Sequence, residues 1–159
     1  MERVYLATGS NLGDKAANLQ AALDLIEIYI GDLVAVSGLY RTEAWGIEDQ
    51  PEFYNQVMAV DTNLESETLL VAVMEIERQM GRERRIRWGE RLIDIDILFY
   101  GALVAQSQRL TIPHPFIQER NFVLQPLLEI APDLVHPVLR KTIRELAAAS
   151  PDPLKVERI

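Results

Sequence analysis

Between Leu92 and Tyr100 the chain alternates: Ile93, Ile95 and Ile97 fall on one side, Asp94 and Asp96 on the other. This pattern, rich in β-branched residues, predicts a strand. Residues 3–8 predict an earlier strand, and 33–41 and 53–62 two more, the third pairing with the second. Elsewhere the period is helical. Leu19, Ala22, Leu23, Ile26 and Ile30 predict a helix over about 15–30, capped by Asp14 and stopped at Gly31-Asp32. Leu69, Leu70, Val73 and Ile76 line a second helix, with Ser66 as its cap, Glu67 in its first turn and Gly81 as its stop.

Strand–helix–strand–strand–helix–strand is the order of an α+β fold, the ferredoxin-like βαββαβ arrangement. It predicts an antiparallel sheet with helices on one face and the other face free to carry a site. Residues 102–112 predict a short β excursion, and Ile112-Pro113-His114-Pro115 a rigid extended stretch. Short helices over 117–129 and 140–149 predict a C-terminal helical extension. With 159 residues and no repeat or linker, one domain spanning 1–159 is expected.

Composition narrows the classes. Apolar residues make up 48% and charged residues 25%, the balance of a soluble globular protein. No apolar run suits a bilayer span and the first residues lack a signal-peptide pattern, so a cytoplasmic protein is expected. The absence of cysteine removes disulfides, thiolate metal sites and a cysteine nucleophile. Net charge is −8, yet the window 78–91 carries six Arg against two Glu, leaving −12 for the rest. An acidic body with one basic segment argues against general nucleic-acid binding and suits capture of a small polyanion.

The chemistry gathers around the two aspartates. Side chains at i and i+2 of a strand leave on one face, roughly 7 Å apart, and two like charges there repel. A divalent cation removes the difficulty, and carboxylates with water and phosphate oxygens are the usual Mg²⁺ ligands. Arg78, Arg82, Arg84, Arg85, Arg87 and Arg91 lie just upstream, so metal carboxylates stand beside phosphate-binding arginines. There is no G-x-x-x-x-G-K-[ST] loop and no kinase signature. Gly9-Ser10-Asn11-Leu12-Gly13 follows a strand and opens a helix; an anion could sit there, but a structural turn is the favoured reading. His114, between prolines, reads equally as a phosphate donor or a backbone-bonded turn residue; His136 reads as structural. Trp45, Phe53 and Phe122 lie in or beside loops, where a planar heteroaromatic ligand could stack, with Asn55 to read its edge. The long stretch 42–51 reads as a functional loop. Other readings are an RNA-binding module on such a sheet and a regulatory domain that binds ATP·Mg without turnover.

Together these residues form a recognisable pattern. Arg87-Trp88-Gly89-Glu90-Arg91-Leu92-Ile93-Asp94-Ile95-Asp96-Ile97-Leu98 resembles the signature of the 6-hydroxymethyl-7,8-dihydropterin pyrophosphokinase family. Gly9 to Gly13, Tyr40-Arg41-Thr42, Asp49-Gln50-Pro51 through Asn55, Glu77 to Arg82, His114-Pro115 and Arg120-Asn121-Phe122-Val123-Leu124 resemble its other segments, in order. The resemblance implies transfer of pyrophosphate from ATP to the hydroxymethyl group of the dihydropterin, in folate biosynthesis. It implies two Mg²⁺ ions held by Asp94 and Asp96, and a pterin read by Asn55, sandwiched by Phe53 and Phe122 and bonded by the backbone of Thr42, Glu43 and Trp45. It implies that Arg82 and Arg91 hold phosphates. Arg84, Trp88, Arg109, Thr111 and His114 would lie at the nucleotide, with Arg120 also at the site as an ATP-binding residue and Glu77 bordering the pocket. A monomer is expected, with no nucleic acid or membrane as partner. The chain has Glu43-Ala44 where the family often has proline, and Phe53 where tyrosine is common.

Overall fold

Two strands carry apolar residues on both sides and form the centre of the sheet. β1 (Glu2–Ser10) buries Val4 and Leu6 on one face and Tyr5 on the other. β4 (Phe53–Thr62) sends Met58 and Val60 one way, Val57 and Ala59 the other. The structure, a computed structural model, describes residues 1–42, 51–81 and 92–159. β1 runs antiparallel between β4 and β5 (Asp94–Tyr100), so that Ala7 lies opposite both Val57 and Asp96. Beyond β4 come β2 (Gly31–Val36) and β3 (Tyr40–Thr42), both antiparallel to it. β6 (Ala105–Gln106) and β7 (Thr111–Ile112) form a separate hairpin, and β8 (Val156–Arg158) adds to the outer side of β3.

α1 (Lys15–Tyr29) and α2 (Ser66–Gln79) cover the face of Val4 and Leu6, burying Leu19, Ile26, Leu69 and Ile76 against Met58, Ile95 and Ile97. The Asp14 side chain accepts the Ala17 N–H at 3.1 Å and caps α1 as expected. Ser66 is not the cap of α2: Glu65 holds that position with no side-chain bond, and Ser66 is already helical. Gly81 ends α2 in a left-handed conformation, φ +75°.

The opposite face is not free. α3 (Asn121–Ile130) and α4 (Ile143–Ala148) lay Val123, Leu124, Leu127, Ile143 and Leu146 on Tyr5, Val57, Ala59 and Phe99. That face is itself apolar, and each large side chain it buries contributes roughly 1.5–3 kcal/mol. Helices therefore lie on both faces.

Two expected elements are each divided. The strand over 33–41 breaks at Ser37-Gly38: from Val36 opposite Met58 to Tyr40 opposite Asn55, the outer chain uses one residue more than β4. Side chains repair the ladder: Ser37 Oγ accepts the Val57 N–H at 3.0 Å and Gln56 Nε2 donates to the Ser37 carbonyl at 2.9 Å. The helix over 117–129 becomes a 3₁₀ turn, Ile117–Glu119, and then α3, because Arg120 is extended (φ −130°, ψ 105°). α4 starts late, at Ile143, where Thr142 and Glu145 form a reciprocal capping box.

His136 holds the turn between α3 and α4, as its structural reading expects. It is 4% exposed, its Nδ1 accepts the N–H groups of Val138 and Leu139 at 3.2 and 3.1 Å, and its ring meets Phe99 edge-on. Burial holds its pKa below the usual histidine value, and that of His114 falls to about 4. Both folded values lie below the unfolded value of about 6.5, so the unfolded chain binds more protons as pH falls. Stability is complete above about pH 6.5 and declines towards the folded values, by up to about 1.4 kcal/mol per pH unit for each histidine. Urea unfolding is expected to show a midpoint distinctly lower at pH 5.5 than at pH 7.5; equal midpoints would contradict this.

Candidate active site

The site is built on one row of residues across the sheet. Gly9 of β1 lies opposite Asp94 of β5 on one side and Asn55 of β4 on the other, and Asn55 faces Tyr40 of β3. Asp94 and Asn55 therefore stand two strand spacings apart, roughly 10 Å. A Cβ on Gly9 would meet Asn55 Oδ1 at 3.0 Å and Phe53 Cδ1 at 3.7 Å. Glycine here keeps the space between carboxylate and amide clear of a side chain. Asp96 sits one row inward, opposite Ala7, on the same face as Asp94. Both aspartates are half-buried while Ile93, Ile95 and Ile97 are in the core, as the alternation requires.

Asn55 is 6% exposed, and its Nδ2 is buried without a hydrogen-bond partner among the described residues. Leaving a buried donor unmade costs about 1–3 kcal/mol, and such a group in a native site is a place for a ligand acceptor. Phe53 lies two residues away on the same face, paired with the buried Thr42. The turn after β1 is bonded to the segment leading into β4: Asn11 Nδ2 donates to the Pro51 carbonyl at 3.3 Å and Lys15 Nζ to that of Glu52 at 3.1 Å.

A second cluster comes from the chain after β7. The His114 N–H donates to the Leu98 carbonyl on β5 at 3.0 Å, and His114 Nδ1 accepts the Phe116 N–H at 3.2 Å. The proton of the neutral ring is thereby assigned to Nε2. Burial and then the Arg120 guanidinium lower the His114 pKa, with Asp94 acting the opposite way. These contacts make His114 a backbone-bonded turn residue, and its ring is electrostatically coupled to Asp94. The Arg120 guanidinium carbon lies 5.0 Å from the Phe116 ring centre and 5.6 Å from that of Phe122. Extended backbone at Arg120 makes this possible, since a continuous helix would carry its side chain elsewhere.

Glu77 stands behind β5. It is 9% exposed, and its Oε2 accepts the Ile95 N–H at 2.9 Å, the peptide between the two aspartates. β5 is an edge strand, so a carboxylate from α2 occupies an N–H that the ladder leaves outward. Arg109 is exposed and donates to Met74 Sδ at 3.8 Å, about one turn of α2 before Glu77. Thr111 is half-buried in β7, and no described contact brings either residue to the aspartates. Glu43, Trp45, Arg82, Arg84, Trp88 and Arg91 lie outside the described residues. Gly9, Phe116 and Asn121 were not singled out as site residues from the sequence. Strand pairing shows the first as a floor; Asn121 lies inside a family-like run without a role of its own, and no local motif marks Phe116.

The donor set suits a hard cation. Two carboxylates on one strand face, with room for water and phosphate oxygens, fit Mg²⁺. No cluster of three or more His, Cys, Asp or Glu able to enclose a metal occurs among the described residues, so the set does not fit a closed structural site.

A carboxylate pair, an unpaired amide beyond a glycine floor and an aromatic–guanidinium cluster thus stand together on this α+β fold. A family model described as 7,8-dihydro-6-hydroxymethylpterin-pyrophosphokinase (HPPK) matches residues 5–132. The chain belongs to that family. It is 48% identical over 160 residues to the 2-amino-4-hydroxy-6-hydroxymethyldihydropteridine pyrophosphokinase of Methylorubrum extorquens, covering 100% of this chain and 99% of that protein. To the Aquifex aeolicus protein of the same name it is 40% identical, covering 91% and 90%. Among solved structures, Plasmodium falciparum HPPK-DHPS superimposes with a TM-score of 0.73 at 21% identity, over 93% of this chain. The chain spans only 43% of that longer protein, and the likeness concerns the fold.

Proposed function

We propose that this chain transfers the terminal pyrophosphate of ATP to the hydroxymethyl group of 6-hydroxymethyl-7,8-dihydropterin, giving AMP and the pterin diphosphate in folate biosynthesis. The observation that carries the reading is Asn55: a buried, unpaired amide donor in one row with Asp94, across a glycine that leaves the space between them open. A pterin edge presents acceptors and donors to such an amide. Family membership and relatives named as pyrophosphokinases support the same activity.

The bond that forms joins the hydroxymethyl oxygen to the β-phosphorus of ATP, and the bond that breaks joins that phosphorus to the oxygen left on AMP. The hydroxyl proton is released. Asp94 and Asp96 would hold two Mg²⁺ ions, which supply neutralisation of phosphate charge and a more acidic hydroxyl. The chain's own residues bind and orient. Asn55 reads the ring edge, and Phe53 and Phe122 give it faces to stack on. His114, neutral with its proton on Nε2, donates to the nucleotide. Arg120 balances negative charge near Phe122. Glu77 fixes the peptide between the aspartates, so both carboxylates are preorganised before substrate arrives. From 82–91, Arg82 and Arg91 supply phosphate contacts and Arg84 and Trp88 nucleotide contacts. From 43–50, Glu43 and Trp45 close the pterin side through their backbone. Arg109 and Thr111 complete the nucleotide side.

With β2 and β3 taken as one interrupted strand, the order β5-β1-β4-β2/β3 supports reading the sheet as ferredoxin-like βαββαβ, with α3 and α4 as an extension. Residues 1–159 act as one catalytic unit, a cytoplasmic monomer with small-molecule substrates and no nucleic acid or membrane partner. Among the described residues no helix is long and apolar enough to cross a membrane. The test is the nucleotide product. AMP is expected from ATP and Mg²⁺ only when the dihydropterin is present. ADP as product, or no turnover by folded protein, would overturn the proposal.

A further inference from the structure

The segment after α4 returns to the sheet and is fastened at both sides of the site. Asp152 is the first anchor. Its Oδ2 accepts the backbone N–H of Asn121 at 2.9 Å, and its carbonyl accepts Asn121 Nδ2 at 3.3 Å. Its Oδ1 accepts the Leu154 N–H at 2.9 Å, and its own N–H donates to Ser150 Oγ at 3.3 Å. Asn121 is the first residue of α3, and Arg120, at the cap position, makes no side-chain capping bond. A carboxylate from 31 residues away therefore does what a local cap would do: it satisfies an orphan N–H and places negative charge at the helix start.

β8 is the second anchor. Val156 pairs opposite Thr42 and Arg158 opposite Tyr40, and Arg41 bonds Glu157 at 2.8 Å. Arg158 Nε lies 3.6 Å from Glu129 in the last turn of α3, and Glu129 also accepts the Tyr40 hydroxyl at 2.7 Å. One segment thus ties the start of α3, the end of α3 and β3 together. The start of α3 carries Arg120 and Phe122; β3 ends at Thr42, beside Phe53 and Asn55. These are the two walls assigned to the pterin.

We propose that Asp152 is a positioning residue for the pterin: by closing the first turn of α3 through Asn121, it sets Phe122 against the Asn55 row. The proposal rests on the reading of Phe122 as a stacking residue. Without the carboxylate the first turn of α3 frays, and Phe122, one residue inside it, loses its fixed ring position. The aspartates on β5 and the α2 side of the nucleotide pocket make no contact with Asp152 among the described bonds, so ATP binding is spared.

The experiment compares Asp152→Ala, Asp152→Asn and Phe122→Ala in steady-state assays with either substrate varied. Asp152→Ala is expected to raise the pterin KM about fivefold, the size of a lost cap, with the ATP KM unchanged. Asp152→Asn, which keeps one acceptor oxygen for the Asn121 N–H but loses the charge and the second acceptor, should recover part of that loss. An unchanged pterin KM, or pterin and ATP KM rising together with a lowered thermal midpoint, would overturn the proposal. If Asp152→Ala does not fold, Asp152→Asn decides, and a rise of roughly twofold confined to the pterin is then expected; no rise overturns it. Phe122→Ala separates the two readings. A normal pterin KM in that variant would remove the stacking assignment itself, whereas a raised one with normal Asp152 variants would remove only the role of Asp152.

Discussion

Asp96→Ala is expected to lower pterin-dependent AMP formation roughly a thousandfold, the scale of removing a preorganised electrostatic group from a phosphoryl-transfer site. The strand itself should survive the change. Ile95 and Ile97 on either side are buried, 5% and 6% exposed, and hold β5 against α1 and α2. The Ile95 N–H is taken by Glu77, and the pairing of Asp96 with Ala7 uses backbone alone. The thermal midpoint is therefore expected within a few degrees of wild type, as for most substitutions outside the core. Asp96→Asn should be almost as inactive, because it keeps the shape and loses the charge. Both rates are read as AMP formed at saturating ATP and Mg²⁺. Activity within about tenfold of wild type in either variant would mean that Asp96 is not part of the charge-bearing pair.

The part of this site legible in the sequence is the part written in local periodicity. Alternation put Asp94 and Asp96 on one face and three isoleucines on the other, and the structure has them so. Helical spacing located α1 and α2, with Asp14 and Gly81 at their ends, because capping chemistry is also local. What depends on pairing across the sheet was not legible. Gly9 reads as half of a turn, and only its register opposite both Asp94 and Asn55 shows it as a floor. The covered second face escaped for a related reason: Val123, Leu124 and Leu127 announce a helix but not the surface that receives it. β8 is three residues among charges, and its pairing to β3 has no signature in composition. Arg120 entered through the family resemblance, and Phe122 first as an aromatic ring able to stack a flat ligand. Residue physics alone would have left them inside a single helix over 117–129, which the extended backbone at Arg120 interrupts. The arginine segment, the strongest charge signal in the chain, falls mostly among residues the structure does not describe.

Asn55→Leu is expected to separate recognition from stability. In the ligand-free protein, Asn55 Nδ2 is buried and unpaired among the described residues, a cost of about 1–3 kcal/mol held in the fold. Leucine has similar bulk, no donor to leave unmade and apolar character suited to a position that is 6% exposed. The urea midpoint of the variant should therefore equal or exceed that of wild type. The pterin KM should move strongly the other way, by roughly a hundredfold or more, since the ring edge would meet a methyl group and leave its own polar atoms unsatisfied. The ATP KM should stay near wild type, because β5 and α2 carry the nucleotide side and Asn55 lies across Gly9 from them. Raised stability with lost pterin affinity would mark the orphan donor as a strain kept for the ligand. A pterin KM within about threefold of wild type would show instead that Asn55 does not touch the ring. The lost stability of the unpaired amide would then need another explanation in the strand itself.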